Sequence, residues 1–329
     1  MSNRRQFVQR SAAALALPAL FAGRAAEAQS VDVLKIVTGF AAGGTSDTVC
    51  RRLADALRGT YAKTALVENK TGAGGQIAIQ SMKTVPADGT TLLQTPASML
   101  TTYPFIYNKL QYDPVKDLTP VSLACVFEFG LAVGPLVPTT VTTVPEFLAW
   151  AKAHPEHASF GSPAAGSTPH FTGEMLSRAG GANLRHVPYR GTQPAMLELS
   201  GGQIAAVSGP IGDLLPHTGS NGKARLLGVS GAKRSRFAPQ VPTYDEQGLK
   251  DIVTDEWFAL YLPGGATPEV VQRMNAAVRV ALAKREVVDG LAVMGLEARS
   301  SSAAELAALQ QRDTARWGPI VKAVGFKAE

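Results

Sequence analysis

The chain has 329 residues, 45% hydrophobic and 18% charged, with a formal net charge of +6. A composition of this kind is globular, and the length exceeds what one core of about 250–300 residues serves, so two cores are expected and a disordered or coiled-coil chain is excluded. Arg4, Arg5, Arg10, Arg24 and Glu27 all lie in the first 28 residues; about half of the net charge belongs to that segment, and basicity is no argument for nucleic acid as a partner.

The N-terminus sets Arg4 and Arg5 ahead of Phe7, then an apolar run from Ala12 to Ala22, then Ala26-Glu27-Ala28. This order of basic, apolar and small-x-small segments reads as an export signal over 1–28, of the twin-arginine kind, which puts the mature chain in the periplasm. The apolar run, at about 11 residues, falls short of the ~20 that a spanning helix needs. Cys50 falls on one helical face with Val49, Leu53 and Leu57, and Cys125 lies within "VSLACVF". Both read as buried thiols, with a bridge as the alternative in an oxidising compartment.

From there the patterns alternate. "VLKIVTGF" is strand-like, and "SDTVCRRLADALRGTY" carries apolar residues at helical spacing with Ser46 or Asp47 as its cap. "TALVEN" is a strand, "GGQIAIQSMKTV" a helix ended by "PADG", and "TTLLQT" a strand followed by the small-residue loop "PASM". Such a βαβαβ unit predicts a parallel sheet with ligand-facing loops at the carboxyl ends of its strands. The loops after the first and third strands, Phe40 to Asp47 and Thr95 to Ser98, therefore open on one edge.

A second α/β set follows the long apolar run Val121 to Val133: "VPEFLAWAKAHP", "ASFGSP", "AAGSTPHFTGEMLSRAG", "LRHVPYRGTQPAMLELSGG", "QIAAVSGPIGDLLPH" and "ARLLGVSG". "DEWFALYLP" returns the chain, and two C-terminal helical stretches are expected to cover the first unit. This order predicts an α/β fold of two discontinuous domains, 29–127 with 254–329 and 128–253, joined by two crossing segments that act as a hinge. The cleft between the domains is then the default ligand site.

Four chemistries compete for that cleft. "GFAAGG" lacks G-x-G-x-x-G spacing and "KTGAGGQ" lacks the G-K-[ST] ending, so nothing matches a nucleotide loop. For hydrolysis, Gly228-Val229-Ser230-Gly231-Ala232 lacks the last glycine of a nucleophile elbow, which leaves Ser167 with His170 as the rival arrangement. For metal, His154 and His157 in "HPEH" have no third ligand nearby. Anion capture fits better: "FAAGGTSD" and "SPAAGSTPH" each bring a Gly-rich loop into a helix start, where free N–H groups and the helix dipole favour a carboxylate. On this reading Gly43→Val harms binding far more than folding.

Taken together and in order, "KIVTGFAAGGTSDTVCRRLADAL", "VENKTGAGGQIA", "ADGTTLL", "YDPVKDLTPVSL", "GSPAAGSTPHFTGEML", "HVPYRGTQPAM", "WFALYLPGGATP" and "WGPIVKAVGF" resemble the periplasmic substrate receptors of tripartite tricarboxylate transporters, the Bug family. The resemblance spans nearly the whole mature chain. It implies a two-lobed periplasmic-binding-protein fold of the Venus-flytrap type, type II-like, with no catalysis and no cofactor. It further implies a monomer that takes a small organic acid and docks on a membrane permease of one large and one small subunit.

The family's pocket segments fall here on Phe40, Ala41, Ala42, Gly43, Gly44, Thr45 and Asp47, on Thr95, Ala97 and Ser98, and on Ala165, Gly166, Ser167, Thr168 and His170. Tyr189, Gly191 and Thr192 join from "VPYRGT", and Pro210 and Ile211 from the stretch after "GGQI". Two departures stand out: Ala41 replaces the family's usual loop proline, and Gly209 stands where an acidic residue is usual. The second points to a ligand with carboxylates and no ammonium.

Overall fold

The computed structural model describes residues 31–219 and 222–327; the export signal expected over 1–28 lies outside the described residues. In chain order the elements are β1 (Val31–Thr38), α1 (Thr45–Leu57), β2 (Ala62–Asn69), α2 (Gln76–Ser81), β3 (Thr91–Pro96), α3 (Ser98–Thr101), α4 (Tyr103–Ile106), β4 (Leu118–Val133), α5 (Val144–Ala153) and β5 (Ser159–Ser162). They continue with α6 (Thr168–Gly180), β6 (Arg185–Pro188), α7 (Thr192–Ser200), β7 (Ala206–Pro210), α8 (Ile211–Leu214), β8 (Arg225–Val229), β9 (Asp255–Pro263), α9 (Pro268–Ala283), α10 (Arg285–Ala292), β10 (Glu297–Ala298) and α11 (Ala303–Val324).

Strand order is β2-β1-β3-β9-β4-β7-β5-β6, with β10 and β8 also on β4. β1 lies parallel to both β2 and β3, as the alternating pattern predicts. β3 is buried at every position, as befits a strand covered on both faces. On one face, α1 sets Val49, Cys50, Leu53 and Leu57 against Met274, Val278 and Leu282 of α9. On the other, Met99, Leu100 and Tyr103 meet Leu306, Trp317 and Val321 of α11. A separate core gathers Phe147 and Leu148 of α5, Phe160 of β5, Leu176 of α6 and the far end of β4. Cys50 and Cys125 are free and buried, and burial pushes both thiols far above their usual range.

The 16-residue β4 joins the two halves of the sheet. From Leu118 to Glu128 it pairs with β9, and from Phe129 to Val133 with β7. At that change of partner, Ser230 Oγ accepts from Phe129 N–H at 2.9 Å and donates to the Thr254 carbonyl. Ser230 N–H donates to Phe129 O, and Thr254 N–H to Ser230 O, both at 2.9 Å. One serine thus ties β4, at its change of partner, to the segment that leads into β9.

The small-residue loop expected at "PASM" is instead the start of α3. Ala97 already has helical dihedrals, and its carbonyl accepts from Leu100 and Thr101 N–H. Among the described residues no helix is long and apolar enough to cross a membrane.

Candidate functional site

Because β1 and β3 are parallel neighbours, the loops that follow them leave the sheet at the same edge. The loops before α6 and α7 approach that edge from the other lobe. Between them lies a slot of ≈ 70 Å³, far below the ~300–1,000 Å³ of a usual small-molecule pocket. An outer chamber of ≈ 610 Å³ adjoins it, and Phe40, Pro163 and Arg190 line both.

Of the residues expected at the site, Phe40, Ala41, Ala42, Gly44, Thr45, Ser98, Ser167, Gly191, Thr192 and Pro210 line the slot. Ala165 and Tyr189 line the outer chamber. Gly43 is exposed in the first loop and lines neither cavity, and the others lie buried behind these surfaces. Asp47 pairs with Arg51 at 2.8 Å and accepts from Gly43 N–H and Asn69 Nδ2, which ties the first loop to β2. Burial works against its ionised form, but these partners prevail and hold its pKa below the ordinary value. Thr95 Oγ1 turns to Met99 Sδ, and Ala97 N–H is bonded to the Trp257 carbonyl. Ile211 packs with Val229, Ala238 and Val241 in a small core of its own. Gly166 N–H donates to His170 Nδ1, and the His170 ring stacks on His186 at 3.8 Å between centroids. Burial, with the His170 neighbour, lowers the His186 pKa to about 3.

The Ser167–His170 arrangement is a helix cap. Ser167 Oγ donates to Ala164 O at 2.7 Å and accepts from the His170 backbone N–H, so the hydroxyl is not directed at the imidazole. Ser167 N–H is bonded to Ala164 O as well. The Gly166, Ser167 and His170 N–H groups around the start of α6, which the sequence offers to an anion, are thus taken up inside the protein.

The start of α1 is also occupied, and by an acid from the opposite lobe. Asp213, on α8, is 5% exposed. Its Oδ1 accepts from Thr45 N–H at 3.1 Å and from the Thr45 hydroxyl. Gln193 Nε2 approaches the same oxygen at 3.4 Å, and the Thr192 hydroxyl adds a further bond. Burial raises the Asp213 pKa and these donors oppose it. The acid absent at Gly209 is therefore present four positions on. A Cβ at Gly209 would meet Thr192 Cγ2 at 2.8 Å, so glycine there makes room for one of Asp213's own partners.

A second buried carboxyl, Glu256 on β9, accepts from Ser98 N–H at 3.0 Å and from the Thr168 hydroxyl. Burial dominates and pushes it up to about 8, with Thr168 and Ser98 pulling the other way. Apart from Ser46, Ser167 and Arg190, the remainder of the slot is apolar. Phe127, Phe129 and Phe258 form an edge-to-face group at its floor, with Tyr103 and several prolines around them. Among the described residues Arg190 is the only basic side chain lining the slot, and it is exposed. Gly191, which opens α7 with φ +108, provides no side-chain cap for that helix. Among the described residues no group of three or more His, Cys, Asp or Glu is placed to hold a metal.

Sequence reasoning passed over Asp213, Glu256, Arg190 and the phenylalanine floor. A signal existed for the acids: Asp213 interrupts the apolar run "IGDLL" and Glu256 opens the run "EWFALYL", and acids are rarely buried unless paired.

A sequence profile for tripartite tricarboxylate transporter family receptors matches residues 49–326. A Cupriavidus necator protein, described as a UPF0065 protein in the gbd 5′ region, is 35% identical over 301 residues, covering 90% of each chain. Among solved structures, the periplasmic binding protein BugD superposes with a TM-score of 0.84 at 28% identity, covering 91% of this chain and 99% of its own. An R. palustris protein solved with adipate gives the same score and identity, covering 90% of this chain and 98% of its own.

Proposed function

Since the chain belongs to the tripartite tricarboxylate transporter receptor family, the Bug family, we propose that it is an extracytoplasmic receptor that closes its two lobes around a small organic acid. The observation that carries this reading is the cleft itself. Loops from both lobes meet around the slot and its outer chamber, and the chain passes between the lobes only a few residues away, at the Ser230 junction. Such a junction lets two rigid bodies rotate while the backbone ladder of each stays intact. The likeness to an adipate-bound structure supports a carboxylic acid as the ligand class.

The moving bodies are 29–127 with 254–329 and 128–253. The ligand-facing set is the slot and chamber residues of the first and second lobes, with Gly43 in the exposed first loop and Asp47, Thr95, Ala97, Gly166, Thr168, His170 and Ile211 shaping the cavities from behind. The receptor acts in the periplasm after twin-arginine export, as a monomer, and hands its ligand to a permease of one large and one small membrane subunit. The hydrolase alternative built on Ser167 and His170 has no support from this geometry, because the Ser167 hydroxyl is engaged by a main-chain carbonyl.

A thermal-shift screen of carboxylic acids tests this reading. Ligand at 100 times its dissociation constant stabilises the folded state by about 2.7 kcal/mol. A melting transition moved by neutral compounds and by no acid would refute the organic-acid assignment.

A further inference from the structure

The polar ends of this cleft are unequal. Towards the outer chamber stand the exposed guanidinium of Arg190, which lines both cavities, and Lys109. At the inner end the protein supplies its own carboxyls. Asp213 lies against the start of α1, where it takes the Thr45 N–H and hydroxyl, with Thr192 and Gln193 as further partners. Glu256 engages Ser98 N–H in the same slot. No cation lines the slot beside them except Arg190, among the described residues. The space left is ≈ 70 Å³ over the ring group of Phe127, Phe129 and Phe258.

We propose that Asp213 determines the specificity of this receptor: by holding its own carboxylate on the start of α1 it excludes ligands with a second carboxylate, and it selects monocarboxylic acids whose apolar end enters the phenylalanine-floored slot while the acid faces Arg190. The proposal rests on the organic-acid reading above. Its physical basis is discrimination by an unfavourable alternative. A dicarboxylate in this orientation must bring its second charge into a narrow, mostly apolar slot, beside an existing acid, with the Thr45 donors already committed to that acid. A charge buried without partners is strongly disfavoured. An apolar end meets no such obstacle.

Matched acids of equal carbon number separate the possibilities: hexanoate against adipate and butyrate against succinate, titrated calorimetrically into the full mature chain at constant pH and ionic strength. Wild type is expected to bind each monocarboxylate at least about tenfold more tightly than its partner. Asp213→Ala frees Thr45 N–H and is expected to narrow or reverse that ratio, with adipate gaining most. Should Asp213→Ala fail to fold, Asp213→Ser keeps a small polar group at the position and reports the same ratio. Arg190→Ala is expected to weaken hexanoate about tenfold or more while leaving the ligand-free melting temperature in place. Wild type binding adipate or succinate as tightly as its monocarboxylate partner would overturn the proposal and leave the organic-acid reading standing. If no carboxylate of either kind binds wild type or variants, both readings fall together.

Discussion

Thr45 N–H, at the start of α1, points at Asp213 Oδ1 across 3.1 Å, although the two residues stand 168 positions apart. The Thr45 hydroxyl donates to the same oxygen, so one residue of the first lobe fastens an acid of the second. Thr45→Val keeps the N–H and the shape while removing the hydroxyl. A buried carboxylate deprived of one donor is expected to cost about 1–3 kcal/mol, read as a lowered urea midpoint with unchanged slope. An unaltered midpoint would show that the clasp contributes nothing to the ligand-free state.

Glu256 makes stability depend on pH. Its folded-state value, about 8, lies above the ordinary 4.5. Between those values the unfolded chain has lost this proton while the folded protein retains it, so the folded state binds more protons and stability falls as pH rises. The contribution is fully present below the unfolded value and is gone above about 8. Glu256→Gln is expected to flatten that part of the stability profile measured by denaturant from pH 4.5 to 8. A variant with the same slope as wild type would assign the dependence elsewhere.

Two adjacent glycines are expected to fail differently. Gly43 has φ +85 with open space where a Cβ would stand, and its N–H is bonded to Asp47. Gly43→Ala should therefore cost about 1–2 kcal/mol of folding stability through backbone conformation alone, with ligand affinity close to wild type. Gly44 is extended, at φ −82, and lines the slot. Gly44→Leu should fold normally and lose ligand by at least about tenfold, a difference of ~1.4 kcal/mol. This revises the sequence-based expectation for Gly43→Val, because the N–H at 43 is already partnered within its own loop.

Ser167→Ala removes the cap of α6. The expected loss is about 1 kcal/mol of stability, measured by thermal unfolding, with no change in ester or amide turnover, which is expected to be nil in both proteins. Turnover by wild type that disappears in Ser167→Ala would restore the hydrolase reading.

The loops were legible because their residues act locally. Helical spacing in "TVCRRLADAL" and the Gly-rich stretches ahead of Thr45 and Thr168 are short-range patterns; α6 starts where its pattern places it, whereas α1 starts at Thr45 after Gly44, so Ser46 and Asp47, expected as its cap, lie inside the helix. What fills the helix starts was not legible. Whether a free N–H remains free depends on which acid the fold delivers to it, and Asp213 reaches Thr45 only after β4, β7 and α8 have packed. Glu256 is likewise one of two successive acids in β9, and only the sheet decides that Asp255 faces water while Glu256 turns inward.

The alternation of strands and helices, the family and the loops at the cleft can be read along the chain, since all of these follow from periodicity and ordered motifs. The chemistry inside the cleft arises from packing between segments far apart in the chain. A hydrogen bond joins whatever atoms lie within about 3 Å, and the carboxyls that meet Thr45 and Ser98 come from positions 168 and 158 residues away.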